Sequence, residues 1–389
     1  MHMKILLTAP QPFYEERGTP IAVRWVAEAL CAKGHDVDLL TYHCGRDVEM
    51  DGMQLHRAWG PPWIRSVPPG FSVRKLCCDF FLVWKMLWMV LRGHYDVIHA
   101  VEESVFPLLC LRPWLRAALV YDMDSSMADQ LIEKWPWLEA FRSGLEFFER
   151  QAVRKADLVL PVCEYLAGKA AALGARGPVV ILHDMAMEGD AADGAVEDLR
   201  ETLNVTGPMA LYVGNLEHYQ GIDLLLEALR QIPEPAVTVV VIGGTQAHVE
   251  HYRTRAQALA VAPLIRWAGP RPVPALQQYL QQADILLSPR IKGGNTPLKI
   301  YSYMLAGKVI LATDISSHTQ VLDAACAYLA APEPQAVAQA LQALSANPDL
   351  RRRLGQTARQ RALDRHTREA YTQTLVSAYS NLKPRRGRE

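Results

Sequence analysis

Residues 285–313 read ILLSPRIKGGNTPLKIYSYMLAGKVILAT, and the reading of this stretch decides the fold. Ile285-Leu286-Leu287 and Val309-Ile310-Leu311 are short apolar runs of the kind that form strands buried on both faces. A helix lies between them. Thr296 is an N-cap residue type, Pro297 suits a first helical position because its missing N–H costs nothing there, and Gly307 is a natural left-handed stop. The spacing predicts strand, loop, helix and parallel strand.

Outward from this unit the same alternation recurs. Apolar runs stand at Ile5–Leu7, Val37–Leu40, Val97–His99, Leu119–Tyr121, Leu158–Leu160 and Val179–Leu182. Others stand at Ala210–Val213, Val237–Ile242, Leu264–Ile265, Ile285–Leu287 and Val309–Leu311, with helical patterns between. The expectation is an α/β chain of two doubly wound Rossmann-like halves, residues 1–185 and 205–365. Met185–Gly207 lacks strand signals and reads as a linker with a short helix. From Pro348 the tail is helical and basic, with eleven Lys/Arg between Arg351 and Glu389 on what reads as a solvated face.

Length and charge agree with this division. The chain has 389 residues, about twice one ordinary domain. Lys+Arg and Asp+Glu number 41 each, which removes overall attraction to nucleic acid as a lead. Seven cysteines with no C-x-x-C pair suggest neither a zinc ribbon nor a disulfide framework. The opening MHMKILLTAP has too short an apolar run for a signal-peptide core, so a reduced, cytoplasmic setting is expected.

Ligands of open α/β sheets bind beyond the carboxyl ends of the strands, so the loops there carry the candidate chemistry. Gly18-Thr19-Pro20, after the first strand, reads as a capped helix start whose free N–H groups suit a phosphate. The second such start is Ser288–Lys299, where Gly293, Gly294, Thr296 and the cations Arg290, Lys292 and Lys299 coincide. Lys299 falls in the first helical turn, where a cation opposes the helix dipole by about 0.3–1 kcal/mol. A cation placed there suggests a bound anion. Gly214–Gly221 and Gly243-Gly244-Thr245 are two further strand-end loops.

These loops, in this order, resemble retaining glycosyltransferases of family 4, which have the two-Rossmann-domain GT-B fold. Residues 211–228 are similar to that family's G-x-L…K-G-x-x-x-L-x-x-A element, and Asn295–Thr313 to its donor-site helix and following strand. Similar segments occur at Asp96–His99, at Ala156–Tyr165 and along the tail. The resemblance implies two domains facing across a cleft, the first for the acceptor and the second for a nucleotide-sugar donor. It also implies a last helix within 366–389 that crosses back to the first domain. The sequence departs from the family pattern. The two glutamates separated by seven residues fall at Gly294 and Ser302, and the Arg and Lys of the third loop at Asn215 and Gln220. The chain therefore reads as a divergent branch.

The expected activity is transfer of a sugar from a UDP- or GDP-linked donor to an acceptor in glycan, polysaccharide or glycolipid synthesis. Alternatives are a nucleotide-sugar epimerase and a non-catalytic sugar-binding or scaffold subunit. Positive charge at Lys299 and Arg290 suits a leaving diphosphate, which makes a metal unnecessary. No cofactor is expected, and Asp122-Met123-Asp124 is the sole metal candidate. The expected donor-binding set is Gly18, Thr19, Gly214, Asn215, Gln220, Gly243, Gly244, Gly294, Asn295, Thr296, Pro297, Leu298 and Ser302. Arg271, within Gly269-Pro270-Arg271, is added by the resemblance as a base-reading residue. His99, Glu102 and Asp124 are candidates in the first half, the acids as partners of sugar hydroxyls.

Val73–Leu91, VRKLCCDFFLVWKMLWMVL, is about long enough to span a bilayer, but Asp79 and Lys85 interrupt it. Between Arg57 and Arg92 there are six Lys/Arg and one acid, Asp79. Two readings stand. In one, Phe80, Phe81, Trp84 and Trp88 form a core-facing stripe. In the other, the helix lies on an anionic membrane surface, where a lipid-linked acceptor would be met at the inner face.

Overall fold

The computed structural model describes residues 2–16, 18–68, 70–187, 196–232 and 237–382. Residues 188–195 of the expected linker and 383–389 of the basic tail lie outside the described residues. The chain divides into two compact units, Met1–His183 with Glu369–Glu389, and Asp184–Arg368.

The first unit is built on a parallel sheet of β1 (Lys4–Thr8), β2 (Asp36–Thr41), β3 (Met53–Arg57), β4 (Val97–Val101), β5 (Ala118–Met123) and β6 (Leu158–Pro161). Its order is β3-β2-β1-β4-β5-β6. Ile5, Leu6 and Leu7 are all fully buried, as expected for a strand covered on both faces. Cys78, Leu82, Met86 and Met89 of the Val73–Arg92 helix are buried in the core cluster that includes Leu6, Leu40 and Ile98. The helix Arg368–Ser380 belongs to this unit and buries Tyr371, Leu375, Ala378 and Tyr379.

The second unit repeats the plan with β7 (Met209–Val213), β8 (Thr238–Ile242), β9 (Ile265–Gly269), β10 (Ile285–Ser288), β11 (Val309–Thr313) and β12 (Tyr328–Ala330). The order is β12-β11-β10-β7-β8-β9, again parallel throughout.

Three expectations are corrected. Val179–Leu182 is not a strand: it makes one isolated bridge, Val159 to Val179, beside β6 at the sheet edge. β3 and β12 were not expected, because each is short and only partly apolar. Phe80, Trp84 and Trp88 do not pack inside. The buried stripe lies on the opposite side of the helix, and Trp84 is 72 % exposed.

Candidate active site

In the second unit, β7 and β10 are neighbours whose connections leave in opposite directions, which makes the topological switch point of the sheet. The loops following these two strands meet there. The Ile291 N–H donates to the Tyr219 carbonyl at 2.9 Å. Gly221 has φ +77°, and a Cβ on it would fall 1.8 Å from the Pro289 carbonyl oxygen, so close approach of the loops requires glycine. Gly243 packs similarly on Gly214, with a built Cβ 2.2 Å from the Gly214 carbonyl oxygen.

Two cations are held at this junction. Arg290 is buried, its guanidinium donating to the Lys292 carbonyl at 2.5 Å and to the carbonyl and side chain of Asn295, both at 3.2 Å. It also lies over the Tyr219 ring, 5.3 Å from its centroid. Lys299 Nζ donates to Gln220 Oε1 at 3.1 Å and sits 4.0 Å from the centroid of the buried Tyr212 ring. No carboxylate among the described residues pairs with it. Desolvation, with Arg290 adding repulsion, holds its pKa well below the ordinary lysine value. The residue as a whole keeps partial exposure.

Beneath Arg290 lies a buried polar network. Thr313 Oγ1 donates to the Arg290 carbonyl. His318 bonds Ser288 Oγ through Nε2 at 2.8 Å and the Thr313 carbonyl through Nδ1 at 2.8 Å. Burial lowers the His318 pKa to about 4, so this imidazole is neutral near pH 7 and its Nδ1 is the donor to that carbonyl.

The remaining expected donor residues divide. Gly214, Gln220, Gly243, Gly294 and Asn295 stand at the junction, and Asn215 is exposed beside it. Gly294 accepts a bond from Gln320 Nε2 at 3.0 Å. Thr296 does not cap: the helix is Lys299–Ala306, with Leu298 before it, and Ile300 N–H bonds the Pro297 carbonyl in a tighter turn. The Thr296 hydroxyl is instead buried without a partner among the described residues. Ser302 is fully buried and its hydroxyl accepts the Met187 N–H at 3.0 Å, which ties down the segment entering this unit. Arg271 is engaged by Glu197, with Nε to Oε1 at 2.6 Å.

In the first unit the corresponding switch point is between β1 and β4, where Ser104 Oγ donates to the carbonyls of Thr8 at 3.2 Å and Val101 at 2.7 Å. The first helix is Gly18–Cys31, so Thr19 lies inside its first turn rather than capping it. Pro20 lacks an N–H that would be unpaired anywhere in that turn, so it fixes the start only to within a few residues. Glu102 follows β4 with φ +49°, an uncommon conformation for a residue with a side chain, and accepts from Ser125 Oγ at 3.0 Å. Asp124, partly buried, adjoins Ser125. His99 is fully buried, with Nε2 to Asp122 at 2.9 Å and Nδ1 to the Tyr379 hydroxyl at 2.6 Å. Both nitrogens are thus occupied, and His99 anchors the last helix to the sheet.

Sequence reasoning missed Tyr212, Tyr219, Thr313 and His318. Tyr212 read as a strand residue, and only Tyr219 stood in a loop singled out for chemistry.

Residues 17–184 match the family described as glycosyl transferase 4-like domain, and residues 197–361 match glycosyl transferases group 1. The chain belongs to the family 4 type of glycosyltransferases. Its sequence is similar to the D-inositol 3-phosphate glycosyltransferase of Jonesia denitrificans, 27% identical over 166 residues. That match spans 40% of this chain and 39% of the relative's length. The glycosyltransferase also resembles a sucrose-phosphate synthase from Thermosynechococcus elongatus, with TM-score 0.80 and 20% identity over 97% of this chain and 98% of that one. A further likeness is to Anabaena HepE, solved with UDP-glucose: TM-score 0.74 and 18% identity over 98% of this chain and all of the other. Both structures carry the GT-B fold of this glycosyltransferase.

Proposed function

We propose that this enzyme transfers a sugar, with retention and without a metal or other cofactor, from a UDP- or GDP-linked donor to an acceptor in glycan, polysaccharide or glycolipid synthesis. One observation carries the reading: Lys299 places an ammonium, without a carboxylate partner among the described residues, beside Arg290 at the switch point of the second sheet. A buried cation lacking an anion is costly, and a diphosphate would supply one. The family's loop lysine is absent at Gln220, but Lys299 brings a charge within 3.1 Å of that side chain.

The chemistry follows from this placement. When the bond from the anomeric carbon to the diphosphate breaks, negative charge grows on the leaving oxygen. Cations already fixed and desolvated stabilise that charge without reorganising. Asn295, Thr296, Pro297 and Leu298 line the approach to Lys299, and the orphaned Thr296 hydroxyl is suited to a donor oxygen. Gly214, Gly243 and Gly244 let backbone come close, and the Arg271 region reads the base. In the first unit, Glu102 and Asp124 hold sugar hydroxyls and the helix start at Gly18 and Thr19 offers N–H groups to a donor phosphate, while His99 acts through Asp122 as a positioning residue. A lipid-linked acceptor would bring the enzyme to the inner face of the membrane.

UDP-glucose is the first donor to test, since HepE was solved with it. The purified chain is incubated with labelled UDP- and GDP-sugars without acceptor. Slow hydrolysis to the free sugar, with retained anomeric configuration by NMR, supports the reading. Conversion to an isomeric nucleotide sugar would make it an epimerase, and neither binding nor turnover would make it a scaffold.

A further inference from the structure

The Val73–Arg92 helix is apolar on two opposite faces. Its inner face, Cys78, Leu82, Met86 and Met89, is used by the core. Its outer face repeats at helical spacing as Leu76, Phe80, Trp84, Trp88 and Leu91, all exposed. Trp59 extends this face through an edge contact with Phe81 at 4.4 Å, and Phe81 in turn meets Phe80 at 5.2 Å. Trp63, in the preceding loop, is 79 % exposed. With roughly 100 Å² left uncovered on each large aromatic, this group exceeds the few hundred Å² a monomer ordinarily leaves bare.

The exposed charges of this stretch have one sign. From Ala58 to Arg92 the exposed charged residues are Arg65, Arg74 and Arg92. The single acid of that stretch, Asp79, is turned away: it accepts from the Tyr42 hydroxyl and lies 3.8 Å from Lys75, which itself bonds Glu103. Arg92 folds over the Trp88 ring at 5.0 Å, as a cation does at the level where tryptophan meets headgroups. No helix among the described residues is long and apolar enough to cross a membrane.

We propose that the outer face of the Val73–Arg92 helix, with Trp59 and Trp63, docks the first unit on an anionic lipid bilayer, the helix lying in the interfacial plane. The sign of the charge decides between occupants. In an antiparallel self-pairing of this helix, Arg74 of one copy would oppose Arg92 of the other, and like charges would meet. An anionic surface is attracted by all three arginines and accepts the aromatic rings between its headgroups. The use of the docking, meeting a lipid-linked acceptor, rests on the transferase reading; the docking itself does not.

The test is sedimentation of the full chain with vesicles of phosphatidylcholine alone or mixed with phosphatidylglycerol, at two salt concentrations. Binding is expected with the anionic vesicles only, and to weaken as salt rises. Arg74→Gln and Arg92→Gln should each weaken it about five-fold. Phe80→Ser with Trp84→Ser should weaken it at least ten-fold while leaving the melting temperature near wild type, because both side chains are already exposed. The UDP-induced thermal shift, measured on the same samples, reports on the second unit. Its absence with vesicle binding intact overturns the donor reading alone. Equal binding to both vesicles or to neither overturns the docking proposal, as does lipid-independent dimerisation abolished by Phe80→Ser with Trp84→Ser.

Discussion

Replacing Lys299 by methionine should stabilise the free protein and disable the enzyme. The ammonium stands 4.0 Å from the Tyr212 ring centroid and bonds one neutral amide oxygen. Desolvation and Arg290 lower its pKa, so between that lowered value and the ordinary one near 10.4 the unfolded chain binds a proton that the native chain lacks. In that window stability rises with pH, and below it the full penalty is felt. Methionine fills similar space without the charge. The expected gain at pH 7 is on the order of 1–3 kcal/mol, the cost of a poorly satisfied buried polar group. In a unit of this size each kcal/mol raises the melting temperature by about 2–4 °C. Catalysis should move the other way. Loss of one preorganised charge at the leaving oxygen lowers kcat/KM by about 10²–10³-fold. Thermal melts with and without UDP, and initial rates with the best donor, read both effects. A Lys299→Met enzyme whose turnover stays within about three-fold of wild type, or whose UDP-induced shift is undiminished, would refute the assignment of this lysine to the diphosphate. Calorimetry adds a sign: if the free lysine is neutral at the working pH, UDP binding takes up a proton, and the measured heat then depends on the buffer's ionisation enthalpy.

Gly293→Ala should act through Arg290. Gly293 has φ +123° and a built Cβ would lie 2.0 Å from Arg290 Nη2, so kcat/KM should fall at least ten-fold, with a stability loss of about 1–3 kcal/mol from strain; a normal rate would show that the position of this guanidinium is immaterial. For His318, the unfolded chain gains its proton near pH 6.5 and the native chain near 4, so stability present above 6.5 is lost as pH falls to 4, by about 3 kcal/mol. Urea melts across this range should show a shallower loss in His318→Gln, and parallel curves would rule out the imidazole as their source.

The fold was legible because parallel strands covered on both faces leave continuous apolar runs, and eleven such runs stood out between helical patterns. β3 escaped notice because MQLHR mixes polar and apolar positions in a strand that is nowhere fully buried. Val179–Leu182 misled for the opposite reason. It lies along the edge of β6 and makes three backbone hydrogen bonds to it, Val159 N–H to Pro178, Val180 N–H to Val159 and Leu182 N–H to Pro161, yet only Val179 completes a bridge, a distinction made by backbone geometry alone. Thr296 shows the limit of capping rules: the residue type was right for a cap, but an intervening turn moved the helix start to Lys299 and freed the hydroxyl.

The outer stripe of the Val73–Arg92 helix could not be assigned from spacing, since two apolar faces at the same period look alike until one of them meets a sheet. Lys299 raises the same issue at the level of charge. Its position in a first helical turn was unfavourable by dipole alone, an effect of at most about 1 kcal/mol that sequence could register. The larger penalty comes from contacts distant in sequence: the Tyr212 ring on β7, Gln220 in the following loop, and Arg290 at the end of β10. These surround the ammonium only after β7 and β10 become neighbours. Local rules thus identified the unusual residue, and tertiary placement explains why it is costly without an anion. On the proposed donor role, the same placement would give a diphosphate its strongest attraction where bond breaking delivers charge, so the expense borne by the free protein and the stabilisation of the transition state would have one physical source.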